Sequence, residues 1–253
     1  MGNMRIGSFN TQDSKVNSHG GMRKDGINNA DIVASMVEKF DILGTQELTI
    51  NFVNALALRL KNYKFYGNYR YGKVLKYLPY NENNQIITKL SIIKNKTIWL
   101  PWVAKNIPDL KTQITKLSLM PRVATLAFFD TNDGKKICII NTHLDYQIPS
   151  VQVRQLACLK KIISKYHNDY EIILTGDFNL ELGDEKFDSF INDVKDDLKH
   201  VDIDRKTWHG KNGDETSVDH IFVPPSWEVI SSGVIDAKGA SDHDAIYADV
   251  RIK

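Results

Sequence analysis

Polar side chains that could bind a metal ion or move a proton recur where apolar segments of this sequence begin or end. Six such segments carry an Asn, Glu, His or Asp at or next to one end: Asn10, Glu47, His143, Asp177 with Asn179, Asp219, and Asp242 with His243. A carboxylate or amide is costly to bury unless it is paired, and one polar strand end is typical of a turn. Six together favour a shared site with oxygen ligands for a metal and histidines for acid–base chemistry.

Strands must place these side chains, and the intervening sequence predicts helices between them. Apolar residues recur at helical intervals in INNADIVASMVEKF, NFVNALALRL and VQVRQLACLKKIISKY. The turn from Thr131 to Gly134 contains Asp-Gly, which predicts a hairpin. Two strand-rich halves with helices outside predict two packed sheets in a single domain over residues 1–253. In such proteins ligands bind beyond the strand ends.

Charge and composition exclude several classes of protein. The 253 residues carry a net charge of +2, from 33 basic and 31 acidic residues, so no global field indicates a polyanionic partner. Cys138 and Cys158 do not make a disulfide framework. With no apolar segment of membrane-spanning length and no signal peptide, the sequence predicts a cytoplasmic protein, and nothing in it implies a protein partner.

The ordered motifs SFN, QE, NTHLD, GDFN, VDHIF and SDHDAI carry a family resemblance. Together they resemble the endonuclease/exonuclease/phosphatase family of magnesium-dependent hydrolases, which includes DNase I-like nucleases, sphingomyelinases and inositol phosphatases. The resemblance extends from Arg5 to about Ile252. It implies an α/β fold, a four-layer α/β/β/α sandwich of two packed mixed β-sheets flanked by helices. It also implies an enzyme that cleaves phosphate esters without a covalent intermediate.

The same resemblance implies a metal site. Glu47 is then the principal ligand, with Asn10 supplying an amide oxygen and Asp242 a further ligand or a second metal position. Mg²⁺ prefers such oxygen ligands, and Mn²⁺ would also satisfy them. The cation would relieve the repulsion between a hydroxide and an anionic phosphate.

The catalytic roles also follow from the resemblance. Asp177 would orient and deprotonate the attacking water, and Asn179 would donate to a phosphate oxygen as charge develops. His243, oriented by Asp219, would stabilise the anion or act as the base. Whether Asp177 or His243 takes the proton stays open at this stage.

Four further residues are assigned by weaker matches. His143 would contact the phosphate, and Glu82 matches an acidic residue that pairs with this histidine in DNase I-like relatives. Arg122 in MPRVATLAFF and His209 in TWHG match a bacterial branch and would line the phosphate pocket, a structural role being the alternative.

The remaining histidines match no motif. His220 alternates with Asp219 along a predicted strand, so it should face the opposite side, in the core or on the surface. His19, His167 and His200 are expected to be solvated.

The substrate is predicted only as a phosphate ester, with phosphodiester cleavage by a nuclease ahead of a phosphatase or phosphodiesterase for a small molecule or lipid headgroup. Residues 61–77, KNYKFYGNYRYGKVLKY, interleave basic residues and tyrosines, a composition suited to nucleic acid, although a solvated hairpin looks the same. Trp99 and Trp102 suit either a membrane interface or, as the favoured interpretation, buried anchors of the long connection from Trp99 to Met120. A binding module without activity is a remote alternative, because each assigned position holds a competent residue.

Overall fold

Two six-stranded mixed sheets form the centre of the protein. The computed structural model describes residues 2–12, 28–72, 81–102, 120–131 and 134–252. In the first sheet the order is β13-β14-β1-β2-β4-β3. Its strands are β1 Asn3–Asn10, β2 Ile42–Leu48, β3 Lys64–Tyr66, β4 Asn83–Thr88, β13 Glu228–Ile235 and β14 Ala245–Arg251. Strands β1 and β2 are parallel, and the other pairs in this sheet are antiparallel.

The second sheet has the order β5-β6-β7-β8-β12-β9. Its strands are β5 Lys94–Trp99, β6 Val123–Asp130, β7 Lys136–His143, β8 Glu171–Asp177, β9 Lys199–His200 and β12 Asp219–Val223. Strands β7 and β8 are parallel, and their neighbours pair antiparallel. A separate pair, β10 Trp208–His209 and β11 Glu215–Thr216, lies outside both sheets.

Four helices cover the outer faces in the described part of the chain. They are α1 Asn29–Val37, α2 Ile50–Arg59, α3 Pro149–Tyr166 and α4 Glu185–Val194. Each matches a segment in which apolar residues recur at helical spacing, and Asn28 caps α1 by accepting a hydrogen bond from Ala30 N at 2.8 Å. No helix in these ranges is both long and apolar enough to cross a membrane.

Three apolar cores separate the layers. Val33, Val37 and Phe52 pack on the outer face of the first sheet, whereas Leu159 and Phe187 pack on the outer face of the second. The core between the sheets includes Ile6, Ile42, Ile86, Ile139, Ile173 and Ile246. The predicted four-layer α/β/β/α sandwich is therefore confirmed.

The core between the sheets becomes polar toward one end of the strands. Gln46 Nε2 donates to Asn141 Oδ1 at 2.7 Å, and Asn141 Nδ2 donates to the carbonyls of Thr45 and Gln85 at 2.9 Å each. A Cβ added to Gly44 would lie 2.3 Å from Thr175 Oγ1, so the sheets approach too closely there for a side chain. These buried hydrogen bonds hold the two sheets in register directly beneath the predicted site.

Candidate active site

The end of the second sheet aligns three of the predicted residues in one row. His143 pairs with Asp177 between β7 and β8, and Asp177 pairs with Asp219 between β8 and β12. Residues paired across strands point to the same face, and here that face is the crevice between the sheets. All three side chains are buried.

The GDFN motif needs its glycine for this row to form. A Cβ on Gly176 would lie 2.4 Å from the Thr142 carbonyl oxygen of β7. Such a contact would push β8 away from β7 and separate Asp177 from His143. The close approach of β7 and β8 therefore requires a glycine at position 176, which a turn preference alone would not explain.

The first sheet delivers Glu47 through an irregular backbone. The β2–β4 register shifts between Thr45 and Leu48, and Glu47 has a φ of 60°, in the left-handed region. Such a conformation costs a non-glycine residue roughly 1–3 kcal/mol and is concentrated at functional sites. The irregularity redirects the Glu47 carboxylate toward Asn10 of the neighbouring strand.

Asp177 lies at the centre of the cluster. Its Oδ2 accepts a hydrogen bond from Asn10 Nδ2 at 2.9 Å and lies 3.5 Å from His143 Nε2 and 3.8 Å from His243 Nε2. Its Oδ1 accepts from the backbone N–H of Asn179 at 2.9 Å. Burial, followed by the Asp219 charge, raises the pKa of Asp177 to about 6.

His243 and Asp219 form a buried ion pair. Nδ1 of His243 lies 2.9 Å from Asp219 Oδ2, a distance that fixes the ring orientation. Burial lowers the pKa of His243, but the Asp219 charge and hydrogen bond, then the charges of Asp177 and Asp242, raise it to about 10. The ring is therefore an imidazolium at neutral pH and directs its Nε2–H toward the Asp177 side.

His143 has the opposite protonation state. Burial, with the charges of Arg122, Arg70 and His243, holds the pKa of His143 well below 6.5, so the ring is neutral. Its Nδ1 is buried without a hydrogen-bond partner in the described residues. The carboxylate of Glu82 instead accepts a hydrogen bond from Arg70 Nη2. The expected pairing of Glu82 with this ring nitrogen is thus not made, because Arg70 occupies the carboxylate.

Two arginines lie buried near His143. Arg122 and Arg70 are each 4% exposed, and Arg122 feels the charges of Glu47, Glu82 and Asp177. Burial and the Arg70 charge lower the pKa of Arg122. Arg122 Nε and Arg70 Nη1 are buried donors without a partner in the described ranges. Unsatisfied cationic donors beside catalytic side chains suit a bound oxyanion.

The oxygen groups predicted to hold a metal lie close to one another. Asn10 Nδ2 donates to both Glu47 Oε1, at 3.3 Å, and Asp177 Oδ2, at 2.9 Å. The positive end of an amide dipole thus lies between two carboxylates, at a place whose charge suits a divalent cation. Gln12 connects this group to Asp242, because Gln12 Nε2 donates to Asp242 Oδ2 and Asp242 N donates to Gln12 Oε1 at 3.1 Å. The carboxylates of Glu47 and Asp242 fit Mg²⁺ or Mn²⁺. The predicted amide oxygen ligand of Asn10 does not face them, because Asn10 Oδ1 accepts a hydrogen bond from Gln12 N at 3.0 Å.

A second group of potential ligands does not suit a metal equally well. Ligand atoms of Asp177, Asp219 and His243 all lie within 4.8 Å of one another in the described residues. A metal-binding histidine must be deprotonated, and the pKa of His243 is raised to about 10 while its Nδ1 is bound to Asp219. This group therefore suits proton transfer and charge stabilisation better than metal binding.

Asn179 follows Asp177 with its backbone in the left-handed region, at φ 52°. Its Nδ2 donates one hydrogen to the Leu144 carbonyl at 3.0 Å. An amide nitrogen has two hydrogens, so the second is available to a ligand. The turn that carries Asn179 also places its backbone N–H on Asp177.

The ring of His209 lies in a different setting from the one predicted. It is exposed, with Nδ1 3.1 Å from Glu215 Oε1 and Nε2 3.0 Å from Asp244 Oδ2. Asp244 contributes most to raising the pKa of His209, and burial opposes the increase. Because both ring nitrogens are in ion pairs, the geometry favours the alternative of a structural role for this side chain. The backbone N–H of His209 donates to the Asp242 carbonyl at 2.8 Å and so supports the segment that carries His243.

Two other histidines, buried His220 and half-buried His200, form an unexpected pair. His220 faces away from the Asp219 side chain, as alternation predicts, and its Nε2 lies 2.8 Å from the Leu180 carbonyl oxygen. His200 was expected to be solvated, but its Nε2 lies 3.0 Å from His220 Nδ1. That expectation is wrong because Phe187 and Phe222 pack beside the His200 ring. His167 is exposed as expected, and His19 lies outside the described residues.

Two expectations about aromatic and basic segments also change. Trp99 and Trp102 are 49% and 46% exposed and are therefore not buried anchors. In the segment 61–77, Lys61 and Lys64 are exposed but Arg70 is buried in the site. Residues 73–80 and 103–119 lie outside the described ranges, and with them Lys73, Lys76 and most of the long connection.

The sequence interpretation missed Arg70 and Gln12 as members of the site. Arg70 belongs to a segment that alternates basic and aromatic residues, which does not distinguish a solvated arginine from a buried one. Gln12 follows Asn10 by two residues, and that spacing was its only signal.

Comparison with known proteins agrees with this geometry. Residues 8–243 match the sequence profile described as the Endonuclease/Exonuclease/phosphatase family. No curated protein matches the chain.

Three similar solved structures show the fold. An endonuclease/exonuclease/phosphatase family protein from Bacteroides thetaiotaomicron has a TM-score of 0.77 at 23% identity, covering 98% of this chain and 97% of that one. A mannosyl-6-phosphatase from the same organism has 0.78 at 22%, covering 98% and 100%. D. rerio TDP2, complexed with a single-strand DNA product, has 0.71 at 17%, covering 100% of both chains.

Proposed function

The chain belongs to the endonuclease/exonuclease/phosphatase family of phosphoesterase hydrolases, and from that membership we propose that it is a Mg²⁺-dependent hydrolase that attacks phosphorus with an activated water. The observation that carries the proposal is the opposite protonation of two neighbouring groups. Asp177 is a carboxylate with a pKa raised to about 6, and His243 is an imidazolium with a pKa raised to about 10. Pairs of groups with separated pKa values supply the base and the acid of one reaction.

Asp177 is the proposed base. At pH 7.5 it is mostly ionised, and its raised pKa makes it more basic than an exposed aspartate. Its Oδ2 and His243 Nε2 are 3.8 Å apart, a separation at which one water can contact both. The proton of that water passes to Asp177 Oδ2, because the His243 ring is already protonated. As the water oxygen bonds to phosphorus, the P–O ester bond breaks and the leaving alkoxide takes a proton from solvent water, while Asp177 later returns its own proton to solvent.

His243 has a different proposed role in the same step. It keeps its proton and donates Nε2–H to the phosphate oxygen on which negative charge grows, while Asp219 holds the ring in place. Asn179 contributes its second amide hydrogen, and the buried arginines Arg70 and Arg122 hold the remaining oxygens. Neutral His143 donates Nε2–H to a phosphate oxygen.

Glu47 would hold the cation, with Asp242 as a further ligand, and Asn10 would contribute its amide oxygen once the amide turns away from Gln12 N. When bound, a divalent cation lowers the charge repulsion between the attacking oxygen and the phosphate and polarises the phosphoryl oxygens. Mn²⁺ would be accepted by the same oxygen donors.

The substrate proposed first is a phosphodiester bond of nucleic acid. The likeness to D. rerio TDP2 with its single-strand DNA product supports this choice. Phosphate monoesters of small molecules are the second candidate. Two buried arginines suit a dianionic terminal phosphate, and a structurally similar protein is a mannosyl-6-phosphatase. A cytoplasmic location is proposed from the free thiols of Cys138 and Cys158.

The test measures hydrolysis of end-labelled single- and double-stranded DNA, and of a small phosphate monoester and diester, with Mg²⁺ and with chelator. Asp177→Asn should lower turnover by roughly 10²–10⁴-fold, because the base is lost. Asp193→Asn, in an exposed ion pair with Lys160, serves as the matched control and should leave turnover unchanged. Turnover that survives chelation, or that Asp177→Asn leaves intact, contradicts the proposal. Cleavage of the monoester but not of DNA selects the second candidate.

A further inference from the structure

Trp99 has an unusual combination of exposure and fixation. Its ring is 49% exposed, although it ends a strand and its neighbour Leu100 is buried. Its indole N–H donates to the Arg70 carbonyl oxygen at 2.8 Å. A tryptophan held at its polar edge while half of its surface faces solvent offers a rigid apolar face for a ligand.

The position of Trp99 follows from the register of the second sheet. Trp99 pairs with Val123, and Ala124 pairs with Thr142, so His143 continues the same row toward Asp177. Trp99 therefore lies three strands from Asp177, about 14 Å at roughly 4.8 Å per strand. It also points into the crevice between the sheets, because its indole reaches Arg70 of the first-sheet side.

Arg70 and Arg122, the arginines proposed above to hold phosphate oxygens, lie between Trp99 and Asp177. The backbone of Arg70 holds the Trp99 indole, whereas the Arg70 guanidinium is buried against Glu82 beside Arg122 and His143. Leu100 N also donates to the Arg122 carbonyl oxygen at 2.8 Å. The Asp177 carboxylate, the two arginines and the Trp99 indole thus follow one another in this order between the sheets.

We propose that Trp99 is a substrate-binding residue whose exposed indole face stacks on a nucleobase of the strand that the site cleaves. The inference rests on the proposed function and names a subsite of it. The distance from Asp177 is too long for a small alkyl ester and suits a nucleoside that continues from the phosphate held by the arginines. Stacking on a fixed aromatic side chain requires a flat ring and tolerates any base.

Trp102 provides a matched control. It is exposed to nearly the same extent, at 46%, but follows Pro101 beyond the end of β5 and lies outside the register row. Trp102→Ala should therefore leave nucleic-acid affinity unchanged. Trp99→Phe keeps an aromatic face without the indole N–H and should retain most of the affinity.

The experiment is a double-mutant binding cycle in the Asp177→Asn protein with Mg²⁺, in which turnover is slowed enough for binding to be measured before the strand is cleaved. Fluorescence anisotropy gives Kd for a short labelled single strand and for strands with one abasic position, moved stepwise along the sequence. Trp99→Ala should weaken binding of the intact strand by roughly 10- to 100-fold. In the protein that keeps Trp99, removing the base at one position of the strand should weaken binding to a similar extent. In Trp99→Ala, removing the same base should change Kd little.

The inference is overturned if every abasic position has the same effect with and without Trp99, or if no single strand binds. Activity separates this failure from failure of the proposed function. Metal-dependent turnover of any phosphate ester that Asp177→Asn abolishes keeps the proposed function even when the cycle shows no coupling. Coupling in a protein without such turnover keeps the stacking subsite and refutes the hydrolase.

Discussion

Replacing Asp219 by Asn should reverse the protonation state of His243. The substitution keeps the shape of the side chain but removes the charge that lies 2.9 Å from Nδ1. Burial alone lowers the pKa of His243, and Asp219 is the largest of the contributions that raise it from 6.5 to about 10. At about 1.4 kcal/mol per pKa unit, the net preference for the imidazolium is roughly 5 kcal/mol.

Without Asp219, burial, the largest single cause, is opposed only by the more distant carboxylates of Asp177 and Asp242. We therefore expect the pKa of His243 to fall below 6.5. The ring would then be neutral at pH 7.5. It could no longer stabilise the growing negative charge on the phosphate, and kcat/KM should decrease by roughly 10²–10⁴-fold.

The direct assay is an NMR titration of the imidazole in metal-free protein, with His243→Gln used to assign its resonances. Wild-type protein should titrate near pH 10, and Asp219→Asn below pH 6.5. Asp193→Asn, an exposed carboxylate, is the charge-matched control. If the titration midpoint of folded Asp219→Asn stays within about one pH unit of wild type, Asp219 does not set the charge of His243 and the reasoning fails.

Two further changes test other parts of the site and the core. Glu47→Gln should raise the Mg²⁺ concentration for half-maximal turnover by roughly tenfold or more, because a carboxylate ligand is lost; a titration that superimposes on wild type would refute this role. His200 and His220 have pKa values lowered by burial to about 4, below 6.5 in the unfolded chain, so the unfolded state binds more protons between these values. The free energy of unfolding, measured by urea denaturation, should therefore fall as pH decreases from about 6.5 to about 4. A His200→Gln/His220→Gln double variant should lose less stability over the same pH range. An equal loss in the double variant would contradict this explanation.

Much of the architecture could be predicted from sequence because its signals are local. Apolar spacing predicted α1, α2 and α3 but did not locate α4, and strand alternation placed His220 on the opposite side from Asp219. The order of SFN, QE, NTHLD, GDFN, VDHIF and SDHDAI gave the family and the four-layer sandwich. These properties depend on backbone geometry and on residues near one another in the chain.

The partners of individual side chains were decided only by tertiary packing. Arg70 belongs to an alternating segment typical of a solvated hairpin, yet packing of the two sheets buries it against Glu82. Glu47 reaches Asn10 because an irregular pairing of β2 with β4 turns its backbone left-handed. The sequence thus determined which chemical groups are present at the strand ends. The folded structure determined their charges and contacts, because exclusion of water from the buried site strengthens the effect of neighbours that are distant in the chain.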